Sequence, residues 1–62
     1  MRTLNARWSN WKLNGFLILE VFISGKWHAM PVRARKPRPL MNKDIDKIND
    51  TLSIEMYHVV LL

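Results

Sequence analysis

The chain of 62 residues contains no cysteine, and this absence removes two devices that often stabilise very small domains. Without thiols there is no disulfide bond and no thiolate metal site. A domain of this size buries only about 60% of the surface that its unfolded chain exposes, so its stability depends on hydrophobic packing or on association. A sequence without cysteine also fits a reducing compartment, and we expect a cytoplasmic protein.

The residue patterns of known catalytic and metal sites are also missing. Gly15 and Gly25 are the only glycines and stand ten residues apart, which excludes a glycine-rich phosphate loop. His28 and His58 are thirty residues apart and have no carboxylate at a ligand-type spacing. No serine is accompanied by a paired base. The sequence therefore predicts no catalytic residue, no metal, no cofactor and no small-molecule substrate.

Long apolar runs are absent as well. Residues 16–23 form an apolar run of eight residues, and Glu20 interrupts it. A bilayer span needs about 20 apolar residues, and a charge inside it is costly. We therefore expect a buried strand at this position, and neither a membrane segment nor a secretory signal.

Carboxylates are nearly absent from residues 1–38, where eight lysines and arginines oppose Glu20 alone and the net charge is +7. Residues 39–62 carry −2, so the total of +5 is unevenly distributed. Four cations and two prolines cluster in residues 32–39, which read VRARKPRP. A field of this kind attracts polyanions, so the expected partner is nucleic acid or an acidic protein surface.

Hydrophobic residues make up 48% of the chain, too many for a disordered segment, and we expect one α+β domain over residues 1–62. Residues 13–35 read as a β-hairpin, because bulky and β-branched residues flank Ser24-Gly25, a dipeptide suited to a tight turn. Residues 1–10 are expected to form an irregular or extended arm.

Counting outward from the turn predicts the register of this hairpin. Phe22 should lie opposite Trp27, and Ile18 opposite Pro31. Proline has no amide donor, so the second strand should be a sheet edge or carry a bulge at Pro31.

A helix over about residues 43–52 follows the basic segment, because Ile45, Ile48 and Leu52 recur on one helical face. Asn42 is a suitable N-cap, and Asp44 is expected on the solvated face of the helix. Residues 54–62 are apolar and β-branched and predict a last strand. The predicted fold is a small antiparallel sheet packed on one helix, in the order strand, strand, helix, strand.

One face of the predicted hairpin is almost purely aliphatic and should pack against the helix. A slip of one residue would exchange the two faces, so this assignment depends on the turn. The residues expected to be mostly buried are Leu17, Leu19, Val21, Met30, Val32, Ile45, Ile48, Leu52 and Val60.

The opposite face places aromatic rings beside cations and supplies the candidate binding residues. Exposed rings can stack bases while cations hold the phosphate backbone. The same rings could instead be covered by the N-terminal arm, and the basic cluster could serve only to keep the chain in solution. The candidate nucleic-acid or anion-binding residues are Arg33, Arg35, Lys36, Arg38, Lys26, Arg7, Trp27 and Phe22.

The layout of hairpin, helix and final strand beside a basic loop is similar in outline to several small bacteriophage-encoded proteins. Some of those bind host RNA polymerase or other host enzymes, and others bind nucleic acid. The expected function is that of a small, non-enzymatic nucleic-acid-binding protein with an accessory or regulatory role. The alternative is a protein-binding inhibitor or adaptor that uses an edge strand or the basic loop, and an edge strand could also join two copies.

Overall fold

A computed structural model describes residues 2–52 and 57–62. These residues form a mixed sheet of four strands and one helix, so the predicted α+β class is confirmed. The elements in chain order are β1 (Arg2–Leu13), β2 (Phe16–Ile23), β3 (Lys26–Ala34), α1 (Asn42–Leu52) and β4 (Tyr57–Leu61). The strand order across the sheet is β3-β2-β1-β4.

Two tight turns connect the three antiparallel strands. Ser24 and Gly25 have φ values of 52° and 80°, and Asn14 and Gly15 have 51° and 84°. Positive φ at both central residues is typical of the type I′ turn, whose twist matches that of the flanking strands. Glycine and asparagine tolerate this conformation well, so both dipeptides favour chain reversal. The turn at Ser24-Gly25 lies where the sequence predicted it.

The described residues of the N-terminal segment form a central strand, so they are extended but are neither irregular nor an arm. β1 pairs antiparallel with β2 on one side and parallel with β4 on the other. A parallel pair needs a crossover connection, which here contains α1. The predicted antiparallel sheet is therefore wrong in one respect, because its last strand runs parallel to its neighbour.

The hairpin of β2 and β3 follows the predicted register near the turn and departs from it at Pro31. Phe22 pairs with Trp27 as expected, but Ile18 pairs with Arg33 and not with Pro31. Because proline cannot donate to the ladder, the edge strand β3 bulges around it. The shift amounts to two residues, so side chains beyond the bulge keep the faces predicted for them.

A second irregularity lies in β1, where Ser9 supplies hydrogen bonds that the ladder lacks. The register between β1 and β2 shifts between Trp8 and Lys12. The buried Ser9 hydroxyl accepts a hydrogen bond from the Ile18 amide at 3.0 Å and donates one to the Trp11 carbonyl at 2.7 Å. These two bonds explain why a polar side chain is buried within a strand.

The core lies between one face of the sheet and α1. Ile45 and Leu52 were predicted to be mostly buried; they are partly buried and pack against the buried hydrophobic cluster of this core. Leu17 is also buried, as predicted. The central cluster of buried hydrophobic residues is Ala6, Leu19, Val21, Met30, Val32, Ile48 and Val59.

The prediction that Val60 is buried is wrong. Val59 is buried, whereas Val60 is 38% exposed. In the parallel ladder Val59 lies beside Leu4, which is itself buried, and Val60 lies beside the exposed Asn5. Pairing with β1 therefore selects the core-facing residues of β4. The first residues of the predicted strand, 54–56, lie outside the described residues.

Replacing Leu19 by alanine should lower the free energy of unfolding by about 2–5 kcal/mol, because the packed cluster cannot fill the cavity completely. Leu19 has no exposed surface, whereas Leu13, at the end of β1, is 55% exposed. Leu13→Ala should change stability by less than about 0.5 kcal/mol. Urea denaturation followed by circular dichroism measures both variants. Equal losses for the two leucines would contradict this core.

Candidate nucleic-acid interface

Helix α1 covers one face of the sheet, and no other element among residues 2–52 and 57–62 covers the opposite face. We call this second surface the open face. Its side chains alternate along each strand with those of the core, as the pleat of a β-sheet requires. They include Asn5, Arg7, Phe16, Ile18, Glu20, Phe22, Trp27, Arg33 and Val60.

One cluster on the open face combines two rings with an ion pair. The rings of Phe22 and Trp27, which are cross-strand partners, have centroids 5.1 Å apart and are tilted by 58°. The Arg7 guanidinium reaches across from β1 and lies 4.0 Å from the Trp27 ring centroid. Its Nε donates a hydrogen bond to the Glu20 carboxylate at 3.1 Å. The cation is therefore held over the indole by two contacts at once.

A second cluster surrounds Phe16, at the other end of β2. The guanidinium carbons of Arg33 and Arg35 lie 5.4 Å and 5.3 Å from its ring centroid. Both arginines are exposed, and the ring is partly buried. The predicted combination of aromatic rings with basic side chains on one sheet surface is therefore present at both ends of β2.

The remaining predicted site residues are distributed differently. Lys26 pairs with Ile23, which packs against the core, so this lysine shares the face of the sheet that α1 covers. Lys36 is exposed in the connection after β3. Arg38 lies on the helix side, where the backbone carbonyl of Arg38 accepts a hydrogen bond from Trp8 Nε1 at 3.0 Å. The cluster VRARKPRP therefore does not form one continuous anion-contacting surface.

The Arg38 side chain forms an ion pair with the start of α1. Its Nη1 and Nη2 donate to the two carboxylate oxygens of Asp44 at 2.7 Å and 3.2 Å, and its guanidinium carbon lies 5.5 Å from the Trp8 ring centroid. This two-pronged geometry is the strongest that arginine forms with a carboxylate. Arg38 therefore orients the crossover segment, a role that the basic composition of the cluster did not indicate.

Asp44 also caps the helix, and the expectation that it lies on a solvated face is wrong. Its side chain is only 4% exposed, and Oδ2 accepts a hydrogen bond from the Met41 amide at 2.9 Å. The Met41 carbonyl in turn accepts from the amide of Ile45 at 3.2 Å. Met41 therefore occupies the N-cap position expected for Asn42, and Asp44 contributes the acidic half of a capping box.

The electrostatic effect on Asp44 follows from these contacts. The hydrogen bond from Arg38 lowers the pKa of Asp44, and it outweighs burial, which acts in the opposite direction. The Met41 amide lowers this pKa further. The carboxylate is therefore held ionised in a nearly buried position.

Asn49 joins β4 to the helix through hydrogen bonds, a role that no sequence pattern indicated. Its Oδ1 accepts a hydrogen bond from the Tyr57 amide at 2.6 Å, and its Nδ2 donates to the Tyr57 carbonyl at 3.4 Å. Nδ2 also donates to the Ile45 carbonyl at 3.1 Å. One buried amide side chain thus fixes the beginning of the strand that completes the sheet.

A shallow groove of about 240 Å³ lies at the bulge of β3. It is lined by Ile18, Met30, Pro31, Val32 and Arg33. This volume is smaller than that of most small-molecule sites, which run from about 300 to 1,000 Å³.

The described residues contain no group of three or more His, Cys, Asp or Glu side chains placed to hold a metal ion. Among them, no helix is long and apolar enough to cross a membrane. Comparisons with protein-family models, with curated proteins and with solved structures find no match to this chain. Its function must therefore be inferred from the geometry of its own residues.

Asp44→Asn should lower the free energy of unfolding by about 1–3 kcal/mol at neutral pH, because it removes the charge that Arg38 and the Met41 amide stabilise. Since folding lowers the pKa of Asp44, the advantage of the wild type should be fully present above about pH 4, the ordinary aspartate pKa. It should disappear as the pH falls through the lowered pKa.

Urea denaturation of both proteins between pH 7 and pH 2 measures this difference. Asp46→Asn is the matched control, because Asp46 is exposed on the same helix. It should change stability by less than about 0.5 kcal/mol. A wild-type advantage that persists unchanged to the lowest pH would show that the charge of Asp44 does not stabilise the fold.

Proposed function

We propose that this protein binds nucleic acid through its open face. The observation that carries the proposal is the repeated pairing of arginine with an aromatic ring on a sheet surface that no other described element covers. Arg7 lies against Trp27, and Arg33 and Arg35 lie against Phe16. Rings of this kind can stack bases, and the guanidinium groups can pair with phosphates.

The charge of the open face favours a polyanion, and not an apolar surface, as the binding partner. Burying an arginine against an apolar surface without a counter-charge is expensive, because the cation loses its hydration. Among residues 2–52 and 57–62, the open face carries Arg7, Arg33 and Arg35 and a single carboxylate, that of Glu20, which is hydrogen-bonded to Arg7. A phosphate backbone supplies the missing negative charge and releases its counterions on binding.

The proposed role is that of a small accessory or regulatory protein without catalytic activity. The candidate basic residues divide into three groups under this proposal. Arg33, Arg35 and Arg7 contact the nucleic acid directly, and Lys36 and Lys26 add to the field around the face. Arg38 acts within the fold, since its guanidinium pairs with Asp44.

The double variant Arg33→Ala, Arg35→Ala should weaken binding to nucleic acid and reduce its salt dependence. Each lost phosphate contact lowers the slope of log K against log salt by about one, so a reduction of up to about two is expected. Fluorescence anisotropy of a labelled oligonucleotide, titrated at several salt concentrations, measures both quantities.

The double variant Lys43→Ala, Lys47→Ala is the matched control for total charge. Both lysines are exposed on α1, on the opposite side of the sheet. This control should lose little affinity. It changes the electrostatic field only at a distance from the open face and removes no direct contact with the nucleic acid. Equal losses in the two double variants would mean that net charge, and not the open face, determines binding.

A second candidate function is binding of a protein through the outer edge of β4. The other edge strand, β3, is protected by the bulge at Pro31, a common device against strand addition. β4 contains no proline and no Lys, Arg, Asp or Glu residue, and its Val60 side chain is 38% exposed. An uncharged edge of this kind can accept an added strand from an inhibited target or from a second copy of the chain.

Val60→Lys tests this second function, because a lysine on an edge strand disfavours strand addition. Asn5→Lys is the matched control, since Asn5 lies beside Val60 on the inner neighbouring strand. We expect the wild type and Asn5→Lys to capture a protein partner from nuclease-treated extract, and we expect Val60→Lys to capture none. Sedimentation velocity of the same three proteins measures self-association, which Val60→Lys should also weaken if the β4 edge joins two copies. Identical behaviour of the three proteins in both assays would exclude the β4 edge.

A further inference from the structure

We infer that the open face is specific for single-stranded nucleic acid and that Phe22 and the Arg7–Trp27 pair form a base-stacking platform. This inference rests on the proposed function and names the class of ligand. It depends on the exposure of the Phe22 ring, the position of Arg7 and the shape of the face.

The Phe22 ring is available to a base. The residue Phe22 is 41% exposed. The Phe22 ring packs against Trp27, its cross-strand neighbour, at a centroid distance of 5.1 Å and a tilt of 58°. This contact restricts the motion of the Phe22 ring. A ring that is already fixed loses little conformational freedom when a base stacks on it.

Arg7 extends this platform across the sheet. Its guanidinium lies 4.0 Å from the Trp27 centroid, which places one side of the cation against the indole. Arginine has five N–H donors, and among the described residues the structure gives Arg7 one hydrogen-bond partner, Glu20. A guanidinium in this position can stack on a base and still donate to a phosphate.

The second cluster lies along the same strand. Phe16 and Phe22 are six residues apart on β2, which corresponds to about 20 Å of strand. Arg33 and Arg35 at Phe16 can hold the backbone of a strand whose bases occupy the platform at the other end. The open face therefore offers an extended track of rings and cations along β2.

A duplex does not fit this arrangement. Its bases are stacked on one another, so their faces are closed to Phe22, and their edges are readable only inside a groove. Four strands at about 4.8 Å spacing make a face about 14 Å wide between its outer strands, wider than the major groove at about 12 Å. Helix α1, which could enter a groove, lies on the opposite side of the sheet.

Anisotropy titrations with a labelled 12-residue oligothymidylate and with the same strand annealed to oligoadenylate test the inference. At one salt concentration, the single strand should bind at least about tenfold more tightly than the duplex. Trp27→Leu and Phe22→Leu should each weaken single-strand binding about 5- to 100-fold and change duplex binding little. Trp27→Phe and Phe22→Tyr, which keep an aromatic ring, should retain most of the affinity.

The outcomes separate the inference from the proposed function. Equal affinity for single strand and duplex would overturn the stacking platform and leave nucleic-acid binding in place. Equal losses for the leucine and aromatic variants at each position would also overturn it. Absence of binding to either ligand at low salt would refute the proposed function itself. The comparison of ligands uses the wild-type protein, so it does not depend on whether any variant folds.

Discussion

The parallel pairing of β1 with β4 is the constraint on which the rest of the structure depends. Parallel neighbours cannot be joined by a tight turn, so the chain must cross from the β3 edge to the far side of β1. The crossover contains α1, which packs on one face of the sheet. The described residues contain no second helix that could cover the other face. The candidate interface is thus a consequence of how the sheet is completed.

Two buried polar side chains hold the crossover in place. Asp44 joins the beginning of α1 to Arg38, and Asn49 joins the helix to the main chain of Tyr57. Both sites satisfy backbone groups that a helix end or a strand start would otherwise leave unpaired. The cost of holding a carboxylate away from water is offset by charge-assisted hydrogen bonds. These contacts therefore select one route for the chain across the sheet.

Local patterns predicted the Ser24-Gly25 turn, the helix and the aliphatic core of β2 and β3, because turn chemistry and periodicity are local properties. The same counting placed Arg33 on the face of Phe22 and Trp27. Asn14-Gly15 is also a strong hairpin signal, and it could have identified β1. The parallel partner of β1 could not be predicted, since no local pattern specifies which strands meet. The pairing of Arg38 with Asp44 depends on that same long-range arrangement.

The proposed function treats the open face as a binding surface, and the composition of this face argues against the alternative of an incomplete core. An incomplete core would be apolar, and it would invite a second copy to pack against it. Arginines next to the rings oppose such packing, because two copies face to face would bring cations of like charge together in a chain whose net charge is already +5. The same arginines place charged groups beside the rings, so the face is not wholly apolar, and the rings remain able to stack. A surface that repels its own copy and attracts polyanions is suited to nucleic acid, and the one-sided packing of α1 is what keeps that surface accessible.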